Sequence, residues 1–320
     1  MSESKFHPLI VILGPTASGK TSVAAKLASR CRGEIISADS RQVYRGMNLG
    51  TGKDYDDYSV ENHNIPYHLI DIAETGEKYN LFEYQNDFLK AYHDIQGRNN
   101  LPILCGGSGL YIDAVIHEYQ LVQVPINPSL RNQLMDKSME ELSARLADLR
   151  KMHNKSDITE RKRLIRAIEI SEYEKENGHS EEKGVAFQTA IFGLQLEVAI
   201  RRKKITERLH ARLKAGMVDE VKALLSRGIT SEQLIYYGLE YKFITQYLEG
   251  TIKYDQMVNL LNIAIHQFAK RQMTWFRKME KEGTLIHWLD AALPSEVNIE
   301  IILSKLRKQE SFNYYLSAAQ

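Results

Sequence analysis

Leu9–Ser29, LIVILGPTASGKTSVAAKLAS, reads as a buried strand, a tight turn and a helix. Leu9–Leu13 is an unbroken apolar run, the pattern of a central parallel strand covered on both faces. Val23 and Leu27, with Ala24 and Ala28, give the following helix a core face. Between them, Gly14-Pro15-Thr16-Ala17-Ser18-Gly19-Lys20-Thr21 satisfies G-x-x-x-x-G-K-[ST]. Glycine lets the backbone pass close to an anion, and N–H groups at a helix N-terminus then face phosphate oxygens. Lys20 adds a point charge, and the Thr21 hydroxyl is placed to hold Mg²⁺. The stretch specifies a polyphosphate site on an α/β sheet, by default one for a nucleoside triphosphate.

Outward from it, further strands carry polar groups to the same sheet edge. Glu34–Ser37 is a short strand that runs into Ala38-Asp39-Ser40-Arg41-Gln42-Val43-Tyr44-Arg45-Gly46. Ligands of open parallel sheets bind at the carboxyl ends of strands, so Asp39 stands either as a general base or as a metal ligand. Gly50-Thr51-Gly52-Lys53 is a loop signal, and the acidic tip at 54–57 reads as a solvated turn. Tyr67–Ile72 has strand character, and Leu81–Tyr92 has apolar residues at helical spacing. Leu101–Cys105 is a buried strand ending in a second glycine-rich turn, Gly106-Gly107-Ser108-Gly109-Leu110-Tyr111. That turn brings the Ser108 hydroxyl to the edge already holding Asp39. Strands alternating with helices predict a doubly wound α/β core.

The texture changes near Gln120. Val122–Pro128 carries two prolines and reads as a linker. The chain from Ser129 to Gly178 is charged and helix-forming, with Leu142, Leu146 and Leu149 on one face and Leu164, Ile168 and Tyr173 on another. A polar loop, Glu176–Gly184, closes it, and Ile191–Leu196 returns to strand character. The expected architecture is therefore α/β: a P-loop NTPase-like parallel sheet core (1–121), a helical insertion (122–184), and a return to the core with a helical C-terminal region (185–320). In the last part, helices are expected over Ala199–Ala215, Val218–Ser226 and Asn259–Lys281. On the third, Leu261, Ile265, Phe268, Trp275 and Met279 form an apolar stripe, with His266, Lys270, Arg277 and Lys281 opposite.

The 320-residue chain has a net charge of +1, which excludes a global basic bias. Locally the charge is sorted. Residues 145–170 hold eight Lys/Arg against four acids, and Ala199–Ala215 holds seven against one. One basic helix face is ordinarily a solvated face, but three such segments (145–170, 199–215 and 266–281) in a near-neutral chain are the footprint of a polyanion partner. Cys31 and Cys105 match no metal or redox spacing and suit a reducing cytosol. No apolar run reaches membrane-spanning length, and too little precedes the first strand for a signal peptide, so a cytoplasmic protein is expected.

Taken together, GPTASGKT at 14–21, DSRQVYRG at 39–46, GTGK at 50–53, HLIDI at 68–72 and GGSGLY at 106–111 resemble the tRNA dimethylallyltransferase family. Arg208–Gly216, YLEG at 247–250 and AKRQMTWFR at 269–277 extend the resemblance, which runs from about residue 9 to 290. The absence of the cysteine pair of a C-terminal zinc finger favours a bacterial-type member. The resemblance implies a monomer, the family's usual form. It implies that Gly14–Thr21 holds the diphosphate of dimethylallyl diphosphate with Mg²⁺ on Thr21. N6 of adenine 37, in tRNAs reading codons that begin with U, would attack the allyl carbon. Lys20, Thr21 and Arg208 would then stabilise the leaving diphosphate, Asp39 would accept the N6 proton, and Ser108 would contribute its hydroxyl. Asp39, Ser40, Arg41 and Gln42, with Lys162, Arg163 and Arg166, match positions that contact tRNA, and Lys270 and Arg277 add to the basic surface.

The chain departs from the family pattern in three places. Ser108 stands where Thr is usual, SDITERKR replaces a Pro-Asn-containing motif, and Glu240 replaces a glycine, with Lys242 as a candidate partner for its charge. Other readings share parts of the pattern. An isopentenyltransferase for free adenine nucleotides needs neither the insertion nor the long basic helices. A small-molecule P-loop kinase needs lid arginines, for which Arg161, Arg163 and Arg166 are available. A non-catalytic RNA-binding paralogue, suggested by Glu240, has no use for the retained Lys20, Thr21, Asp39 and Arg208.

Overall fold

The computed structural model describes residues 7–149, 160–178 and 185–317. Its strands are β1 (Pro8–Leu13), β2 (Gly33–Ala38), β3 (Ser59–Val60), β4 (His63–Asn64), β5 (Tyr67–His68), β6 (Leu101–Gly106), β7 (Gln188–Gln195) and β8 (His287–Asp290). The helices of the first half are α1 (Lys20–Arg30), α2 (Leu81–Gly97), α3 (Gly109–Ile116), α4 (Pro128–Leu134), α5 (Met139–Leu149) and α6 (Arg161–Asn177). Those of the second half are α7 (Val198–Lys214), α8 (Met217–Ser226), α9 (Ser231–Tyr237), α10 (Leu239–Leu248), α11 (Tyr254–Lys281), α12 (Ser295–Leu306) and α13 (Glu310–Ser317). The chain divides into two compact units, one of residues 1–117 with 185–320 and one of 118–184. The smaller unit thus starts at Glu118, ahead of the expected Val122.

In the larger unit, six parallel strands run in the order β5-β2-β6-β1-β7-β8. All six residues of β1 are buried because helices cover both faces. The strand's alternation sorts its side chains between two cores. Ile10 and Ile12 pack with α1 and with Ile302 and Phe312 of the C-terminal helices. Leu9, Val11 and Leu13 pack with Tyr84 and Phe88 of α2 and with Met273 and Phe276 of α11. A third core joins α7 to α11 and takes in Val43, Tyr44 and Met47 from the segment after β2. The smaller unit has its own core of Leu130, Leu134, Leu142, Leu146, Leu164, Ala167 and Ile168.

Several expectations change. The strand expected over Tyr67–Ile72 pairs only through Tyr67 and His68, because Leu69 and Asp71 adopt left-handed φ values of 62° and 56° and turn the chain away. Asp71 then meets the buried ammonium of Lys53 at 2.5 Å and accepts from the Tyr55 hydroxyl. The acidic tip is a surface turn with Asp54 and Asp56 exposed, and Tyr55–Tyr58 forms a 3₁₀ turn whose last residue, Tyr58, is buried. Phe268 is 39% exposed rather than part of the buried stripe of α11. The structure adds β3, β4, β8, α3, α9, α10, α12 and α13, for which the sequence pattern predicts no element. The polar loop expected over Glu176–Gly184 begins inside α6, and its part at 179–184 lies outside the described residues, as does 150–159 of the basic stretch.

A buried carboxylate pins the sheet. Glu34 accepts from Arg98 Nε and Nη2 at 2.9 and 2.7 Å, from Asn100 at 2.7 Å, and contacts His68 Nε2 at 2.7 Å. Burial alone would raise its pKa. The hydrogen bonds from Arg98, Asn100 and His68 outweigh that and pull it to about 2. A carboxyl depressed in the folded state stabilises above its unfolded pKa and loses that contribution as pH falls through the folded value. Glu34→Gln is therefore expected to cost about 2 kcal/mol at pH 7 and to flatten the loss of stability between about pH 4.5 and pH 2. Denaturant unfolding at pH 7 and pH 3 checks both parts.

Candidate active site

The phosphate loop connects β1 to α1 at the carboxyl edge of the sheet. A Cβ at Gly14 would lie 2.8 Å from the Leu194 carbonyl oxygen and 2.8 Å from Ser18 Oγ, filling the cradle. Ser18 is 4% exposed, and its hydroxyl has no hydrogen-bond partner among the described residues. A buried hydroxyl left this way costs about 1–3 kcal/mol, which an anion seated in the loop relieves. Pro15 is buried, Thr16 and Ala17 are half-buried, and Gly19 starts the helix with a φ of 78°.

Two cations face this cradle. Lys20 has no ion-pair partner among the described residues. Burial pushes its pKa down against the pull of Cys105 and Asp39, and the charge on Arg208 adds to the depression. Arg208, on α7, donates to Thr16 Oγ1. Burial and the neighbouring charge of Arg212 bring its pKa down to about 10. Cations held below their ordinary pKa gain most when an anion arrives. Thr21 is half-buried in the first turn of α1.

The acid and the hydroxyl come from the next strands. Asp39, just past β2, accepts the Arg41 N–H at Oδ1 (2.9 Å). Ser108, opening α3, accepts the Ser40 N–H at Oγ (3.0 Å) and donates its own N–H to the Ala38 carbonyl (3.1 Å). The second glycine-rich turn therefore holds the backbone on both sides of Asp39. Gln42 braces the following loop: it accepts from Ser37 Oγ at 3.1 Å and donates to the Gly52 carbonyl at 3.0 Å. The Arg41 guanidinium lies 5.3 Å from the Tyr236 ring centre.

Three residues not singled out from the sequence complete this frame. Gln272 is 7% exposed; it accepts the Thr16 N–H at 2.8 Å and donates to the Gly107 carbonyl at 2.9 Å. Its available signal was a lone amide on the buried stripe of α11. Glu220, on α8, accepts the consecutive N–H groups of Asn48, Leu49 and Gly50 at 2.8, 2.8 and 3.0 Å, and the Tyr241 hydroxyl at 2.6 Å. Arg212 donates to both oxygens of Asp54 at 2.9 Å. Glu240 stands at the start of α10, where burial raises its pKa while Arg212 and Arg208 pull the other way. Lys242, its expected partner, lies 5.4 Å from the Phe243 ring centre instead.

The basic residues separate into free and engaged groups. Lys270 and Arg277 are exposed on α11, and neither has an ion-pair partner among the described residues. Burial, then the charges of Arg277 and Arg202, lower the pKa of Arg201 on α7, so these guanidinium groups crowd one another. His266 does not join that face. It is half-buried, lies 3.4 Å from Thr206 Oγ1, and is held toward neutrality by burial and by Arg202 and Arg201. In the smaller unit, Lys162 and Arg163 are exposed, the latter paired with Glu160 at 3.2 Å. Arg166 turns inward to the Val124 carbonyl (2.7 Å) and Glu169 (2.5 Å), so it anchors the linker there.

Comparison with known proteins places this geometry. The family model described as IPP transferase matches residues 42–279, and one described as isopentenyl transferase matches residues 7–66. A Parabacteroides distasonis protein named tRNA dimethylallyltransferase 1 is 54% identical over 305 residues, which span 95% of this chain and 99% of that protein. A Phocaeicola vulgatus protein named tRNA dimethylallyltransferase 2 is 55% identical over 300 residues, 94% of this chain and 98% of that one. The crystal structure of a tRNA isopentenylpyrophosphate transferase from Bacillus halodurans matches with a TM-score of 0.70 at 30% identity, covering 98% and 99% of the two chains. A eukaryotic dimethylallyltransferase acting on tRNA shares the fold, with a TM-score of 0.71 at 23% identity over 89% of this chain and 74% of that one.

Proposed function

The chain belongs to the IPP transferase family, and from that footing we propose that it transfers the dimethylallyl group of dimethylallyl diphosphate to N6 of adenosine 37 in tRNAs reading codons that begin with U. The observation that carries this reading is one sheet edge holding a phosphate cradle with two depressed cations, Lys20 and Arg208, together with a strand-end carboxylate, Asp39. The N6–C1 bond forms as the C1–O bond breaks. The electron pair leaves on diphosphate, and the N6 proton passes to Asp39. Lys20, Arg208 and the loop N–H groups stabilise the charge that develops on the leaving oxygen. An aromatic amine is a weak nucleophile, so removal of its proton as the bond forms is the natural aid. The adenine must leave its stack to reach the edge.

The loop also fits a diphosphate-bound Mg²⁺, with Thr21 as its protein ligand beside an orphaned Ser18 hydroxyl. No group of three or more His, Cys, Asp or Glu able to hold a metal occurs among the described residues, which suits an ion taking most ligands from phosphate and water. When bound, it supplies charge neutralisation on the departing diphosphate. The exposed Lys270 and Arg277, and Lys162 and Arg163 of the smaller unit, support tRNA as the polyanion. A monomeric, cytosolic enzyme belongs to the same reading. Among the described residues no helix is long and apolar enough to cross a membrane.

Radiolabelled dimethylallyl diphosphate with Mg²⁺ tests the proposal, with unmodified tRNA bearing A36-A37-A38 and with AMP and ADP as parallel acceptors. Label is expected in tRNA alone. Label in AMP or ADP transfers the site to free nucleotides, and ATP consumption without labelling makes it a kinase. The tRNA affinity is expected to fall steeply with salt, each phosphate contact contributing about 0.7–0.9 to the log–log slope. A flat profile measured by filter binding contradicts the basic-surface argument.

A further inference from the structure

We infer that Gln272 is a positioning residue that sets the spacing between the leaving-group half and the proton-accepting half of the active site. This rests on the tRNA-prenylation reading above. The first half is the phosphate loop, where Arg208 bonds Thr16 Oγ1 and Lys20 opens α1. The second is the turn carrying Ser108, which holds Ser40 and, through it, the backbone around Asp39. β1 and β6 are paired beneath these turns as far as Leu13 and Gly106. Above that pairing, the Gln272 side chain spans from one turn to the other: the Thr16 N–H donates to its Oε1 at 2.8 Å, and its Nε2 donates to the Gly107 carbonyl at 2.9 Å.

The chemistry of the two ends suits a primary amide. Thr16 turns its backbone N–H donor to this bridge and Gly107 its carbonyl acceptor, so the bridging group must accept at one atom and donate at another. An ionised carboxylate cannot donate, and an ammonium cannot accept. The steric fit is equally close: a Cβ at Gly107 would lie 2.4 Å from Gln272 Nε2. The Gln272 side chain is buried, its bond to the Gly107 carbonyl is buried and that from Thr16 is partly so, and both join residues far apart in sequence. Gln272 bonds the loop and the turn, not the side chains of Asp39, Lys20 or Arg208. Its effect passes through the loop and turn that do the chemistry, where a misplacement of about 1 Å is worth roughly 10²-fold in rate.

The test separates position from binding. Gln272→Met keeps the length and removes both hydrogen bonds. Its kcat for tRNA prenylation is expected to fall about 10²-fold, while the Kd values for dimethylallyl diphosphate and for tRNA change by less than about three-fold. Gly107→Ala displaces the same bridge from the other side and is expected to reproduce the loss with Gln272 intact. The double variant is expected to be no slower than the worse single variant, because both remove one coupling. Additive losses, an unchanged kcat, or a loss wholly accounted for by weaker substrate binding overturns the inference. If Gln272→Met fails to fold by thermal melting, Gly107→Ala alone decides through its kcat and Kd values. Wild-type protein that labels no tRNA overturns the parent reading and this one with it.

Discussion

Asp39→Ala is expected to lower turnover by about 10²–10⁴-fold while leaving tRNA affinity near the wild-type value. The side chain stands at the end of β2, and its Oδ1 accepts the Arg41 N–H at 2.9 Å. That bond orients the carboxylate, and under the proposed function Oδ2 is the atom available for the amine proton. The surrounding backbone does not depend on Asp39 alone, because the Ser40 N–H is held separately by Ser108 Oγ. The loop after it is tied to Glu220 through three amides. The backbone on either side of Asp39 therefore survives the substitution, and on the proposed function the loss falls on kcat. Single-turnover rates with saturating tRNA, together with filter binding, check the split. A collapse in tRNA binding with intact single-turnover chemistry makes Asp39 a recognition residue instead.

Lys20→Met is expected to lower kcat by about 10²–10³-fold and to weaken dimethylallyl diphosphate binding as well. The ammonium lies in the first turn of α1, and burial and Arg208 depress its pKa in the absence of an anion. Seating a diphosphate reverses that depression. The Lys20 pKa rises on binding, and protons are taken up at pH values between the free and bound pKa. Calorimetry in two buffers of different ionisation enthalpy measures the uptake. It is expected to shrink in Lys20→Met. Uptake of the same size in both proteins assigns it to a group other than Lys20.

The parts of the fold legible in the sequence are those specified locally. The β1–turn–α1 stretch, β2, β6 and β7 declare themselves through apolar runs, and the turns after β1 and β6 through their glycines. Asp39 and Ser108 are legible for the same reason, since each is the first polar group past a buried strand. What the sequence hides depends on distant partners. The strand expected over Tyr67–Ile72 is cut short because Asp71 turns back to Lys53. Glu220 looks like any exposed helix acid until its three amides arrive from residues 48–50. His266 falls on the polar side of a helical wheel, yet α7 covers it. Arg208 sits in a basic helix where spacing alone does not distinguish it from Arg201 or Arg212. Only the family resemblance picked it out, and the structure shows it at Thr16.

The pairing of β1 has a consequence for how this chain reaches its folded state. Ile10 lies opposite Ile103 on one side and Ala190 on the other. During synthesis the strand that opens the sheet waits with both edges bare until β6 and then β7 have left the ribosome, while the smaller unit, whose core draws on residues 130–168, completes its local contacts in between. Long-range parallel pairing of this kind is slow, and bare strand edges invite aggregation. Refolding from denaturant is therefore expected to show a fast phase from the helices of 118–184 and a slower, chaperone-sensitive phase in which the sheet closes around β1.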